Sequence, residues 1–366
     1  MKKSLPKNVK VYRNKKTTTH TTKKEVRPKE VKFDLDDILL EPAITTDVSS
    51  REKVYPRNKQ EFLPIFTAPM DTVVTAQNYD TFLEHGINVC LPRGEKVDQL
   101  GYGNSTFISY SLVEFENRII KDTLEHTRVC IDIANGHMRY LYNTIRNAKK
   151  KYKNNLTLMV GNVANPETYA KLSNIGADFV RVGIGNGNGC LTSQNTGVGY
   201  PMGSLIRDCR DISKKLKNPA KIIADGGMKT YSDIIKSLAL GADYVMVGSM
   251  LNKCLESAGD NYLFGIIKIK DGLAQKLYGK GFNIQKKFRG MSTKEVQRKW
   301  GKIGLKTSEG VVRKRNVEYT LESWGENLED YLRSAMSYTN SVYLYDFIGK
   351  IHFNKITNKG YGRFNK

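Results

Sequence analysis

Long uninterrupted apolar runs are missing from this 366-residue chain, and with them any stretch able to cross a bilayer as a helix. Its first residues lack the hydrophobic core that a secretory leader needs. Cysteine is scarce: Cys90, Cys130, Cys190, Cys209 and Cys254 are odd in number and widely spaced. No CxxC and no Cys/His ligand spacing occurs, which excludes a disulfide framework and a structural zinc site and points to a reducing, cytoplasmic compartment. Only two tryptophans are present, and no RNA- or DNA-binding motif accompanies them. Acidic residues are also in deficit, 37 against 59 basic ones, for a net charge of +22. Much of the excess lies in residues 1–30, with eleven Lys or Arg against two Glu, so a basic, disordered arm is expected there. Such an arm suits either nucleic acid and other polyanions or plain solubility, and the second reading is preferred. The charge balance equally favours anionic small molecules such as nucleotides.

What is present is organised around Gly183-Ile184-Gly185-Asn186-Gly187-Asn188-Gly189-Cys190-Leu191-Thr192. It follows a β-branched run, Asp178 to Val182, that reads as a strand. Glycine at alternate positions lets the backbone approach a ligand closely. A thiol carried on such a loop is a candidate nucleophile, whereas an isolated glycine-rich turn more often holds a small buried cysteine. The rest of the chain alternates strand, loop and helix. Strands are expected at Leu63 to Thr67, Gly86 to Leu91, Arg128 to Ala134, Leu156 to Val160, Phe179 to Val182, Lys221 to Ala224 and Tyr244 to Val247, with an additional short one at Thr106 to Tyr110. Repeated units of this kind predict a parallel sheet closed into a (β/α)8 barrel over residues 31–350, followed by a basic tail at 351–366. Active sites of such barrels lie at the C-terminal strand ends. Asp71, Asp132, Asn162, Cys190, Asp225 and Gly248-Ser249 all follow strands and would converge at one mouth. Asp225-Gly226-Gly227 and Gly248-Ser249 together read as a phosphate cradle, because glycines admit the chain and backbone N–H groups supply donors.

Ala68 to Val73 (APMDTV), the VGxGxGxxCxT loop with Gly197 to Pro201 (GVGYP), Ala224 to Gly227 (ADGG), Gly241 to Met250 (GADYVMVGSM) and Phe288 to Ser292 (FRGMS) occur in order. Together they resemble the inosine-monophosphate dehydrogenase and guanosine-monophosphate reductase family over about residues 33 to 350. The short stretch between Leu91 and Arg128 leaves no room for the regulatory CBS pair of many dehydrogenases. The flap, at about 280–312, has no Arg-Tyr pair, and Thr307-Ser308-Glu309-Gly310 resembles the reductase branch. The chain also departs from the family's pattern. Asn188 stands where a serine usually contacts phosphate, Ser193-Gln194 replaces an arginine after the CTT run, and Leu91-Pro92-Arg93 replaces a His-Lys pair.

The resemblance implies a purine nucleoside monophosphate as substrate and a (β/α)8 barrel with a mobile flap. It implies Cys190 as nucleophile toward purine C2, with Thr192 and Glu309 moving protons, in NADPH-dependent conversion of GMP to IMP and ammonia. Substrate contacts would come from Asn188, Asp225, Gly226, Gly227, Gly248, Ser249, Gly290, Met291, Ser292 and Gly310. Cofactor contacts, to NADPH or NAD, would come from Asp132, Ile133, Ala134, Ile184 and Gly185, with Ser50, Arg51, Ser334 and Ser337 from a neighbouring subunit or the tail. Carbonyls of Gly185, Gly187, Cys190 and Ser193 would hold potassium, and a homotetramer is expected. Cys90, Cys130, Cys209 and Cys254 are read as structural, and His137 as a turn residue bonded to backbone. The rival readings are oxidation of IMP to XMP with NAD, a flavin-binding phosphate barrel, and nucleic-acid binding through the basic arm.

Overall fold

Short β-branched and aromatic runs, each followed by a polar or glycine-rich turn, build eight strands whose side chains alternate between the interior and the surrounding helices. The computed structural model describes residues 31–95, 105–125, 127–187, 189–291, 293–299 and 310–364. The eight strands are β1 (Ile65–Thr67), β2 (Val89–Leu91), β3 (Thr106–Tyr110), β4 (Arg128–Asp132), β5 (Thr157–Val163), β6 (Phe179–Val182), β7 (Lys221–Asp225) and β8 (Tyr244–Val247). All neighbours pair in parallel, in the order β1-β8-β7-β6-β5-β4-β3-β2. The ring closes at Asn88, whose carbonyl accepts from Thr67 N at 2.9 Å and whose N–H donates to Ile65 O at 3.0 Å. This is the expected (β/α)8 barrel. Thr106 to Tyr110, read as an extra strand, is the third stave of the wall.

Helices return the chain between strands, and local chemistry starts them. Asn165 caps Pro166–Asn174 by accepting from Glu167 N and Thr168 N at 2.9 and 3.2 Å, with proline at the first helical position. Thr230 and Asp233 form a reciprocal capping box on Tyr231–Leu240. The lower interior of the barrel is aromatic: Phe66, Phe107, Phe179 and Tyr244 meet with ring centroids 5.1 to 6.2 Å apart. The Arg128 guanidinium lies 4.3 Å from the Phe107 ring centre. Cys90, Cys130, Met159, Ile223 and Met246 belong to the same interior cluster.

Two features go beyond the expected elements. Ile38–Leu40 pairs antiparallel with Phe353–Lys355, so the basic C-terminal stretch carries a strand and then a helix, Asn358–Phe364. After β8 comes a four-stranded antiparallel sheet, in the order Ile267–Ile269, Asn261–Leu263, Ile284–Arg289, Val312–Asn316. The flap region is therefore an extension of a sheet. The residue ranges of the expected basic arm, 1–30, and of Thr307 to Glu309 lie outside the described residues.

Phe107 packs edge-on against Phe66 and Phe179 and is fully buried. Phe107→Ala should cost about 3–5 kcal/mol of stability, measured by urea unfolding, because the surrounding barrel wall cannot collapse onto the cavity.

Candidate active site

β6 delivers the cysteine loop to the mouth. Its Val180 and Val182 face the outer core, and the tight turn that follows is held by Cys190 N donating to Gly187 O at 2.9 Å. Cys190 is half-buried, and its thiol donates to the Thr192 hydroxyl at 3.2 Å. The other four cysteines are buried. Burial raises the thiol pKa of Cys90, Cys209 and Cys254, as suits cysteines that serve packing.

The cradle lies against this loop. Gly226 and Gly227 have φ of +96° and +91°, a region a side chain disfavours. A Cβ on Gly226 would sit 2.9 Å from Gly187 N, so glycine is also demanded by the close passage of the two loops. Ser249 donates to Met228 O at 3.3 Å, which ties the second glycine turn to the first. Above the thiol comes the flap: Gly290 N donates to Val311 O at 2.9 Å, Val311 N donates to Gly189 O at 3.3 Å, and Cys190 bridges Gly310. A side chain on Gly290 would run into the Gly189 carbonyl. The structure thus brings Cys190, Thr192, Gly226, Gly227, Gly290 and Gly310 around one opening, with Met291 next in chain and half-buried. Asn188, Ser292 and Glu309 lie outside the described residues.

Beneath the opening is a charge chain that sequence reading missed in part. Arg181, on β6, is only 5% exposed inside the barrel. It donates to Asp132 Oδ1 at 2.7 Å and to Asp225 Oδ2 from Nε and a terminal nitrogen at 3.1 and 2.8 Å. Burial works against its charge, but Asp225, Cys130 and Asp132 more than offset that, and the guanidinium is held well into its protonated range. Asn162 adds a bond from Nδ2 to Asp225 Oδ2 at 2.7 Å and another to Gly183 O at 2.9 Å. Arg93 pairs with Asp132 Oδ2 at 3.1 Å through Nε and also meets the Asp132 carbonyl. Arg93 therefore brings a cation to the Asp132 carboxylate. The signal for Arg181 was present: one arginine within Phe-Val-Arg-Val alternates onto the inner face of a barrel strand.

The candidate cofactor residues fall into two groups. Asp132, Ile133, Ala134, Ile184 and Gly185 are at strand ends near the opening, with Ile133 N bonded to Gly161 O at 2.9 Å. Ser50 and Arg51 start a short turn packed against helix Leu321–Tyr338, which carries Ser334 and Ser337. In the candidate cation loop, Ser193 Oγ donates to Val198 O at 2.7 Å and the Ser193 carbonyl accepts from Gly197 N at 3.0 Å. His137 accepts from Ala164 N at 3.2 Å through Nε2 and pairs with Thr168 Oγ1 at 3.0 Å through Nδ1, the expected turn role.

The molecule is an eight-stranded parallel barrel with a half-exposed cysteine between a pair of glycine turns and a sheet-borne flap. Residues 118–363 match the IMP dehydrogenase / GMP reductase domain, and the chain belongs to that family. It is 30% identical to GMP reductase 2 of Homo sapiens, over 90% of this chain and 95% of the relative. It is 28% identical to GMP reductase of Caenorhabditis elegans, over 90% and 93%, and 29% identical to GMP reductase of Buchnera aphidicola, over 90% and 95%.

Two outcomes follow from these environments. Arg181→Met takes the guanidinium from the largely buried Asp225 carboxylate and should lower stability by about 3–5 kcal/mol in urea melts, with part of the loss recovered when Asp225→Asn is added. Burial holds the His137 pKa below its ordinary 6.5, so the folded state favours the neutral ring. Its contribution is complete above pH 6.5 and is lost as pH falls toward the lowered folded value; His137→Gln should flatten that part of a stability–pH curve measured from pH 7 to 5.

Proposed function

We propose that this protein reduces GMP, or a closely related purine nucleotide, to IMP with release of ammonia. The observation that carries this reading is the docking of Gly310 and Gly290 onto the Gly189–Cys190 loop, directly beside the Gly226–Gly227 cradle. A flat ring held between cradle and flap backbone would present one edge to the Cys190 sulfur.

In this reading the backbone around Gly226, Gly227, Gly248 and Ser249 holds the 5′-phosphate. Asp225, with one carboxylate oxygen occupied by Arg181 and Asn162, turns the other toward the ribose hydroxyls. Cys190 Sγ forms a bond to C2 of the purine as the thiol proton leaves. The C2–N bond then breaks, and the amino group departs as ammonia with protons relayed through Thr192 and Glu309. A covalent thioimidate splits one difficult displacement into two easier steps. A nicotinamide cofactor, NADPH in this proposal, supplies hydride to C2 when bound; Cys190 then leaves as thiolate and IMP is released. The partly buried strand-end residues Asp132 and Ile184 would meet the nicotinamide end. Ser50, Arg51, Ser334 and Ser337 form a separate surface that would serve the opposite end of a cofactor bound to a neighbouring subunit, consistent with a homotetramer. The donors proposed for a cation, the carbonyls of Gly185, Gly187, Cys190 and Ser193, are neutral oxygens without a carboxylate. That set suits potassium better than a divalent ion, and a bound cation there would stiffen the cysteine loop.

Oxidation of IMP to XMP is the second reading, because the matched family domain spans both activities. Absorbance at 340 nm separates them. Purified protein should consume NADPH with GMP and should not form NADH from IMP and NAD. Cys190→Ala should abolish turnover while GMP still binds by calorimetry, and residual turnover in that variant would remove the covalent mechanism.

A further inference from the structure

The flap is fastened to the barrel at two places set back from the reacting groups. Arg289 ends strand Ile284–Arg289, and one of its terminal nitrogens lies 2.7 and 2.6 Å from the two carboxylate oxygens of Asp71. Asp71 belongs to the Pro-Met-Asp turn after β1, and both side chains are largely buried, 7% and 10% exposed. The other terminal nitrogen of Arg289 pairs with Glu295 on helix Lys294–Lys299, and Glu295 also accepts from Lys287 at 2.9 and 3.2 Å. Nearby, buried Asn252 donates to the carbonyls of Thr72 and Lys287 at 2.7 and 3.1 Å. The turn after β1 and the flap strand are therefore stitched by one ion pair and one shared amide. Met70 of that turn packs on the cradle as well, since a Cβ on Gly248 would lie 2.9 Å from its sulfur. Next in chain after Arg289 is Gly290, whose backbone meets the cysteine loop.

We propose that Arg289 is a positioning residue: its ion pair with Asp71 sets the height of the Gly290 backbone over Cys190. In this way it aligns the reacting ring with the thiol. The inference rests on the reading of Cys190 as nucleophile at a nucleotide site. With one terminal nitrogen between both oxygens of the buried Asp71 carboxylate and the other on Glu295, the guanidinium leaves little room for the strand end to shift, and an exposed pair would not hold it so. Cradle and flap are both referenced to the one turn, so the phosphate end and the ring end of the ligand keep a fixed separation. A displacement of roughly 1 Å at the reacting centre is enough to cost on the order of 100-fold in rate.

The test is made on the full chain with Arg289→Met, Asp71→Asn and the two combined. The expected result is a kcat for GMP reduction lowered on the order of 100-fold, with GMP affinity by calorimetry within about threefold of wild type. The double variant should be no worse than the poorer single one, and Arg289→Lys should restore part of the rate. A second readout needs no turnover: iodoacetamide labelling of Cys190, followed by peptide mass spectrometry, should run several-fold faster in each variant as the flap lifts. Wild-type protein that fails to reduce GMP would sink the functional reading, and the labelling rates would still judge the latch. Unchanged labelling in a folded variant, or GMP affinity falling in parallel with kcat, would overturn the proposal. If Arg289→Met does not fold, Asp71→Asn, which keeps the side-chain shape, decides between these outcomes.

Discussion

A guanidinium enclosed in the barrel, Arg181, needs opposite charge within reach, and the wall supplies it from both sides. Asp132 comes from β4 and Asp225 from β7, while Asn162 at the end of β5 completes the set. Four consecutive strands thus end in a single bonded cluster. Removing Arg181 would leave Asp225 with only the Asn162 amide and Asp132 with Arg93 alone, so the cluster depends on the guanidinium at its centre. Because Asp225 is followed at once by Gly226-Gly227, the rigidity of the cluster passes directly to the cradle.

Above that base the site is built from backbone more than from side chains. Gly187 passes Gly226, and Gly189 passes Gly290, at separations that exclude a Cβ. Two loops and a strand end can then stack closely, backbone against backbone, with only a few side chains intruding. Cys190 and Thr192 are exceptions, a thiol with a hydroxyl at 3.2 Å. The surrounding glycines keep other groups from crowding that thiol.

Much of this was legible in the chain. Asp132, Cys190, Asp225 and Gly248 each follow a short β-branched run, and the rule that strand ends converge in a closed parallel barrel puts them at one mouth. Leu91-Pro92-Arg93 was readable only as a departure from the family's pattern, since the bend that brings Arg93 to Asp132 depends on the path of the loop after β2. β3 reads only as an additional short strand, because Thr-Phe-Ile-Ser-Tyr is five residues long and passes through Ser111 straight into a helix. The flap sheet went unread for a different reason. Its strand Val312–Asn316 is Val-Arg-Lys-Arg-Asn, mostly exposed and with no apolar alternation, and it pairs with Ile284–Arg289 across a long separation in sequence. The pairing of Ile38–Leu40 with Phe353–Lys355 is hidden likewise, because neither three-residue strand carries a pattern that names its partner.

Local sequence decided the alternation of strands and helices, the caps that begin the helices, and the glycine spacing that makes a ligand-facing loop, all of which depend on neighbours a few residues apart. Tertiary structure alone decided which charges meet. Whether Arg181 lies between Asp132 and Asp225, and whether Arg289 reaches Asp71 rather than solvent, depends on barrel closure and strand register. Those are set by the packing of the whole interior, to which no single segment holds the key.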